Sequence, residues 1–488
     1  MKQIKIILLA CLLPHLCLPQ GKKVILEGAF TYPVSDTIMM EFYRACFGLR
    51  DVNPEIQMQR IHDGKFRFEI KGVSKPGYIR LLTNSNTEKN GINLYRYLVD
   101  PSDSVSMIIS HDQIFFSGRQ CAKYRCRYAL DHGFIPDSPT KMISHELIRD
   151  SLDKAMSYWK ENRYLRDRLY LLSCFEPWLT RLDFEILKCD LIASTIINFH
   201  SWFIFQWIDP ATMPDSVKRR KYFQEIFDKV INIEPDVSIR AKELSAEYPT
   251  LFLIKRLMSM KIRMNKLRID DAWPLYIKMK EVPGTLGEKL LASYCFFLDL
   301  KGGMLNSDSC KKDALASVYD PFYRKVLKDY VGKTFKGATV PEFVFYDLKG
   351  KSRNLKEFRG KVVLIDFWFT GCDACIHCAR ALQKVIGHFK GNEDIVFLTV
   401  SVDTDFRIWQ NSVHSDTYAS PDNEINFYTQ GLGSKHPIIR YYNWNGFPEF
   451  LLIGRDGKLF SASPPRPDEF NGAEKLTALI NEALGELY

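Results

Sequence analysis

Two cysteines separated by two residues, Cys372 and Cys375, follow the apolar run Val362-Val363-Leu364-Ile365-Asp366-Phe367-Trp368 and the short segment Phe369-Thr370-Gly371. The run predicts a buried strand, the segment a turn, and the residues from Cys372 to Phe389 a helix. In the first turn of a helix, unpaired N–H groups and the dipole stabilise a thiolate. A thiolate is the nucleophile of disulfide exchange, so this placement points to thiol–disulfide chemistry. Two intervening residues also bring the second sulfur close enough to resolve a mixed disulfide. At about 100° per residue, Cys375, Ala379, Leu382, Ile386 and Phe389 form one apolar stripe. Cys375 is therefore expected to head the buried face of the helix and Cys372 to lie at its exposed tip.

The run continues as Cys375-Ile376-His377-Cys378. Cys378 lies one turn deeper, at the edge of the stripe, and is either a packed thiol or a third redox thiol that partners Cys375. Metal binding is disfavoured. The outer sulfurs of the Cys-x-x-Cys-x-x-Cys run are about 9 Å apart along a helix axis, whereas a zinc–thiolate shell gathers its ligands at ~2.3 Å around one point. A peroxidase loop of the form Pro-x-x-x-Thr-x-x-Cys is also missing, because Ile365 and Phe369 stand in the Pro and Thr places.

The Asp-Phe-Trp of the strand and the Cys-x-x-Cys four residues after Trp368 resemble the thioredoxin superfamily. The approach Gly360-Lys361-Val362, with Pro341-Glu342-Phe343 and Leu355-Lys356-Glu357-Phe358 before it, resembles the TlpA/ResA branch of exported thiol–disulfide oxidoreductases. The resemblance covers residues 331–488. It implies a catalytic pair Cys372 and Cys375, with Asp366 as a buried acid beneath the dithiol that relays the proton of Cys375. It also implies Trp368 packed under the active-site turn. Gly446-Phe447-Pro448-Glu449 is similar to the family's cis-proline strand, so Phe447 and Pro448 are expected beside the disulfide. Substrates such as cytochrome c apoproteins or misoxidised envelope proteins, and an upstream thiol donor, are implied as partners. No cofactor is implied. Three features depart from the family pattern: Gly371 replaces a common Trp, Asp373-Ala374 replaces Gly-Pro or x-Pro, and Cys378 is extra.

The elements that must position this site alternate strand and helix, so the C-terminal part reads as a mixed α/β sheet layered by helices. A chain of 488 residues is too long for one core. The expected organisation is a signal peptide at 1–21, a small antiparallel β domain at 22–118, an all-helical domain at 119–330 and the α/β domain at 331–488. Met1-Lys2-Gln3-Ile4-Lys5 followed by a short apolar centre reads as a secretory leader. Leu8-Leu9-Ala10-Cys11 loosely matches a lipoprotein box, although the apolar centre before Cys11 is short. Export would place the chain in the periplasm or cell envelope. In the helical part, Ile148, Leu152, Ala155, Met156 and Trp159 form one apolar stripe, and Leu182, Ile186, Cys189, Ala193 and Ile196 form another. Trp159, Trp178, Trp202, Trp207 and Trp273 are expected in the core, and Cys174 and Cys189 as buried thiols.

The chain has 12 cysteines, of which those outside Cys372–Cys378 are scattered, so they do not read as a disulfide framework. Hydrophobic content of 46% and charged content of 26% exclude a disordered or fibrous chain. The net charge of +9 is a mild excess over this length and does not indicate nucleic acid. It favours at most a peripheral contact with an anionic membrane surface. A rival expectation is that residues before 331 form a binding or assembly module of the envelope and the dithiol is a sensor or structural latch.

Overall fold

The computed structural model describes residues 23–485, apart from 35–36, 49–53, 84–91, 133–162, 208–216, 218–220, 222–223, 265–268, 420–423 and 445. The leader, the stripe from Ile148 to Trp159 and most of the basic run at 218–221 lie outside the described residues.

The chain forms two compact units. The first comprises residues up to Ala45, then Pro54–Met142 and Arg166–Leu187; the second comprises Cys46–Asn53, Ile143–Leu165 and Lys188–Tyr488. This division differs from the expected one. The expected helical region is divided: Arg166–Leu187 belongs to the first unit, and the helices from Lys188 on belong with the α/β domain.

Among the described residues, the first unit holds eight strands in two four-stranded sheets. They are β1 (Lys23–Phe30), β2 (Thr37–Tyr43), β3 (Glu55–Arg60), β4 (Lys65–Lys71), β5 (Gly77–Thr83), β6 (Asn93–Val99), β7 (Ser104–Ile109) and β8 (Ile114–Arg119). The sheet orders are β4-β1-β7-β8 and β3-β2-β5-β6. Alternation places Val24, Leu26 and Phe30 of β1 inward, where they join Phe66, Phe68, Met107 and Phe116 in one core. The sheets are antiparallel except that β1 pairs with β7 in parallel, a long-range pairing that strand patterning does not encode. Helix α1 (Cys121–His132) packs Tyr124 into this core.

Helices follow: α2 (Arg163–Phe175), α3 (Arg181–Trp207), α4 (Ile239–Leu244), α5 (Tyr248–Met264), α6 (Trp273–Lys280), α7 (Gly284–Lys301), α8 (Ser307–Ser317) and α9 (Pro321–Thr334). Ile186, Cys189, Ala193 and Ile196 of α3 are buried. Three expectations fail: Trp178 is 68% exposed, Trp273 is 38% exposed and Cys174 is exposed. Trp178 sits in a one-turn 3-10 segment and Trp273 at the first position of α6.

The α/β domain is built on a seven-stranded mixed sheet of order β10-β9-β13-β12-β11-β14-β15. Its strands are β9 (Val344–Tyr346), β10 (Ser352–Asn354), β11 (Val362–Trp368), β12 (Ile395–Ser401), β13 (Ile425–Tyr428), β14 (Glu449–Ile453) and β15 (Leu459–Ser461). Strands β11, β12 and β13 run parallel, and β14 runs antiparallel to β11. Helices α10 (Asp373–His388), α11 (Phe406–His414), α12 (Pro437–Tyr442) and α13 (Gly472–Leu484) cover it. β11 is buried along its whole length, as a central strand covered on both faces must be. Val363, Ile365 and Phe367 face one core with Ile438 and Tyr442 of α12. Val362 and Leu364 face another with Leu382 and Ile386 of α10 and Leu476 and Ile480 of α13.

Candidate active site

The strand β11 ends at Trp368, and four residues later Cys372 caps α10. Gly371 links the two with φ +92°, a conformation open to glycine and strained for other residues. This backbone requirement accounts for the departure at that position, because a side chain there would meet no neighbour within 4 Å.

Cys372 and Cys375 form a disulfide, with their Cα atoms 5.2 Å apart. Cys372 Sγ also accepts the Cys375 backbone N–H at 3.1 Å, so the first sulfur occupies the N-cap position. The same N–H would stabilise a thiolate there after reduction. The expected exposed tip is corrected: Cys372 is only 7% exposed, against 1% for Cys375. Trp368, Trp409, Val413, Tyr418 and Tyr428 share one apolar cluster with both cysteines.

Phe447–Pro448 is cis. The Phe447 carbonyl oxygen lies 3.8 Å from Cys372 Sγ, so a backbone edge stands beside the disulfide. Phe369 and Phe447 meet edge-to-face with ring centroids 6.0 Å apart. They supply an apolar rim that the missing Trp at position 371 would otherwise provide.

Asp366 shares the face of β11 that carries Val362, Leu364 and Trp368, beneath α10. It is 1% exposed, and its Oδ1 has no hydrogen-bond partner among the described residues. Burial pushes its pKa well above the usual carboxylate range; Glu424 pushes the same way and Arg466 partly offsets it. The acid therefore keeps its proton to a higher pH than an ordinary carboxyl does. Trp368 is fully buried and stacks on Tyr418, centroids 4.8 Å apart.

Cys378 is fully buried and donates its thiol hydrogen to Asp468 Oδ1 at 2.8 Å. Asp468 in turn accepts two hydrogen bonds from Arg466. Burial pushes the Cys378 thiol far up, so it stays protonated. Of the two readings for Cys378, this environment favours the packed thiol.

Three side chains at the site carry no signal in the motif. Asp403 accepts from Thr370 N at 2.9 Å and from Thr370 Oγ1 at 2.8 Å. Ser412 Oγ lies 2.7 Å from Thr370 Oγ1, and Tyr418 Oη accepts the Gly371 N–H at 2.8 Å. Asp403 could have been found: it stands just past the carboxyl end of a parallel strand, next to the end of β11, where open α/β sheets place their sites. Tyr418 follows an irregular stretch and had no such cue.

The Thioredoxin-like family model matches residues 360–459, from just before β11 to β15. The C-terminal domain is thioredoxin-like. Thiol-disulfide oxidoreductase ResA of Bacillus thuringiensis subsp. konkukian is 27% identical over 143 residues, 29% of this chain and 75% of that protein. ResA of Geobacillus thermodenitrificans is 46% identical over 131 residues, 25% of this chain and 66% of that protein. A solved thiol:disulfide interchange protein from Bacteroides sp. is 28% identical, with 30% of this chain and 92% of that chain covered and a TM-score of 0.25. The relatives of the thioredoxin-like domain are thus thiol–disulfide oxidoreductases, and the similarity covers under a third of the chain. Among the described residues no helix is long and apolar enough to cross a membrane.

Proposed function

We propose that this chain is a thiol–disulfide oxidoreductase of the cell envelope that reduces disulfides in partner proteins. The observation that carries the reading is the Cys372–Cys375 disulfide at the tip of α10, with the Cys375 N–H on Cys372 Sγ. In the reduced chain, the Cys372 thiolate attacks one sulfur of a partner disulfide, and the partner's other sulfur leaves as a thiolate. Cys375, its proton passed to the ionised form of Asp366, then attacks Cys372 Sγ and frees the second partner thiolate. The product is the Cys372–Cys375 disulfide of this structure, which an upstream dithiol donor must reduce for the next turnover. The same atoms run in reverse against a more oxidising partner. The basic, apolar N-terminal segment supports export, and the edge-to-face pair Phe369–Phe447 supports a polypeptide substrate lying against the Phe447 carbonyl.

The test is Cys375→Ser in cells that produce the chain. An exchanger accumulates mixed disulfides through Cys372, recoverable by non-reducing separation. If no partner is trapped while the protein is folded and exported, the dithiol is a structural latch and the reading fails.

A further inference from the structure

We propose that Tyr418 is a positioning residue for Cys372 and acts through the Gly371 peptide. This rests on the reading of Cys372 as the attacking thiol. The turn between β11 and α10 is closed by the Cys372 N–H on the Phe369 carbonyl at 3.3 Å and is held further by groups from the connection between β12 and β13. Thr370 is tied twice to Asp403 and once to Ser412. Asp403 is itself fixed, since its Oδ2 accepts from Ser401 Oγ and its N–H donates to the same hydroxyl. Thr370 is therefore over-determined. The Gly371 N–H, in contrast, has the Tyr418 hydroxyl as its acceptor.

Gly371 immediately precedes the N-cap cysteine, and its left-handed φ sets the direction in which Cys372 enters the helix. A thiolate on Cys372 is stabilised only while Sγ stays over the Cys375 N–H. Without its acceptor, the Gly371 amide, which belongs to an exposed residue, turns toward water or another partner. Either movement carries Sγ off the helix tip. The Tyr418 ring is anchored independently by its stack on Trp368, at 4.8 Å and 5°. The hydroxyl thus has one role that the ring does not share.

Tyr418→Phe isolates that role, because the stack is kept and only the hydroxyl is lost. The chain is reduced, and Cys372 alkylation by iodoacetamide is followed by peptide mass spectrometry from pH 5 to pH 9. The Cys372 profile is expected to move to higher pH in the variant, with labelling near neutrality falling ~5-fold, the size of one net hydrogen bond. Hydrogen exchange at the Gly371 amide supplies a second readout: protected in the parent chain and fast in the variant. Superimposed profiles and unchanged Gly371 exchange, in a parent chain whose Cys372 ionises below a free cysteine, would overturn this inference and leave the proposed function standing. A parent Cys372 that titrates as an ordinary thiol would overturn both.

Discussion

Both units bury aspartates, and they treat them differently. In the N-terminal unit, Asp103 is fully buried and meets Lys123, which is 2% exposed. Lys123 Nζ lies 2.9 Å from Asp103 Oδ1 and 2.7 Å from Asp100 Oδ2. Tyr124 Oη and the Asp100 N–H donate to the other Asp103 oxygen. Burial acts against the Lys123 charge, yet Asp103 and Asp100 outweigh it and its pKa ends up raised. In the thioredoxin-like domain, Asp366 is as deeply buried, and its Oδ1 has no hydrogen-bond partner among the described residues. A buried carboxylate beside its countercharge ties elements together. A buried carboxyl without one is kept neutral, with a proton to exchange, and such perturbed acids gather at working sites.

The difference can be broken by substitution. The largest effect is expected for Lys123→Met, which leaves the buried Asp103 without its countercharge. Urea unfolding should show a loss of ~3–5 kcal/mol in the N-terminal unit. Under native conditions the alkylation rate of Cys372 should not change. If removal of the lysine leaves stability intact, the acids there are not a structural ion pair.

Next comes Asp366→Asn. Resolution of a pre-formed mixed disulfide at Cys372 should slow by about 10²-fold in single turnover, as for loss of a proton acceptor. In the parent chain this rate should rise with pH through the raised pKa of Asp366, and the variant should lack that inflection. An unaltered pH profile would remove Asp366 from the reaction.

The same variant has a smaller, opposite effect on stability. A carboxyl whose pKa is raised by folding holds its proton more tightly when folded. Its contribution is therefore fully present below the unfolded value of ~3.9 and is lost as pH rises through the folded value. Asp366→Asn removes that loss. The oxidised variant should melt above the parent at alkaline pH, and the gap should close toward pH 4. A variant less stable than its parent at every pH would show that Asp366 is paired after all.

The smallest effect is expected for Cys378→Ala. Its thiol is committed to Asp468, so dithiothreitol cycling should be unchanged. Peptide mapping of the reoxidised parent should show Cys372–Cys375 alone. A Cys375–Cys378 linkage would restore Cys378 as a redox partner.

The centre of the thioredoxin-like domain was legible because local pattern and tertiary role coincide there. The apolar run Val362–Trp368 can only be a doubly covered strand, and the stripe Cys375, Ala379, Leu382, Ile386 and Phe389 is buried as its phase requires. Strands β10 and β13 and helix α12 were not foreseen. They are short, and each is stabilised by long-range pairing or packing rather than by its own periodicity. The burial of Cys372 was not legible for the same reason, since Trp409 and Tyr418 of its apolar cluster come from beyond β12. Helical phase assigns a face to a residue but not what another loop lays across it. In the N-terminal unit, the alternation Phe66-Arg67-Phe68-Glu69-Ile70 marks β4 in the sequence, whereas the parallel β1–β7 pairing depends on partners about 80 residues apart.

The central claim is that Cys372, not any other thiol of the chain, is the nucleophile. Burial pushes Cys126, Cys189 and Cys310 up to about 12 and Cys295 higher still, so they stay protonated in the folded chain. The most direct measurement is timed iodoacetamide labelling of the dithiothreitol-reduced, folded protein at neutral pH, read peptide by peptide. The account predicts that Cys372 is modified first and well ahead of these four, and that the unlabelled pair closes again on removal of the reductant. Labelling of Cys372 no faster than the average thiol, together with a pair that does not re-form, would contradict it.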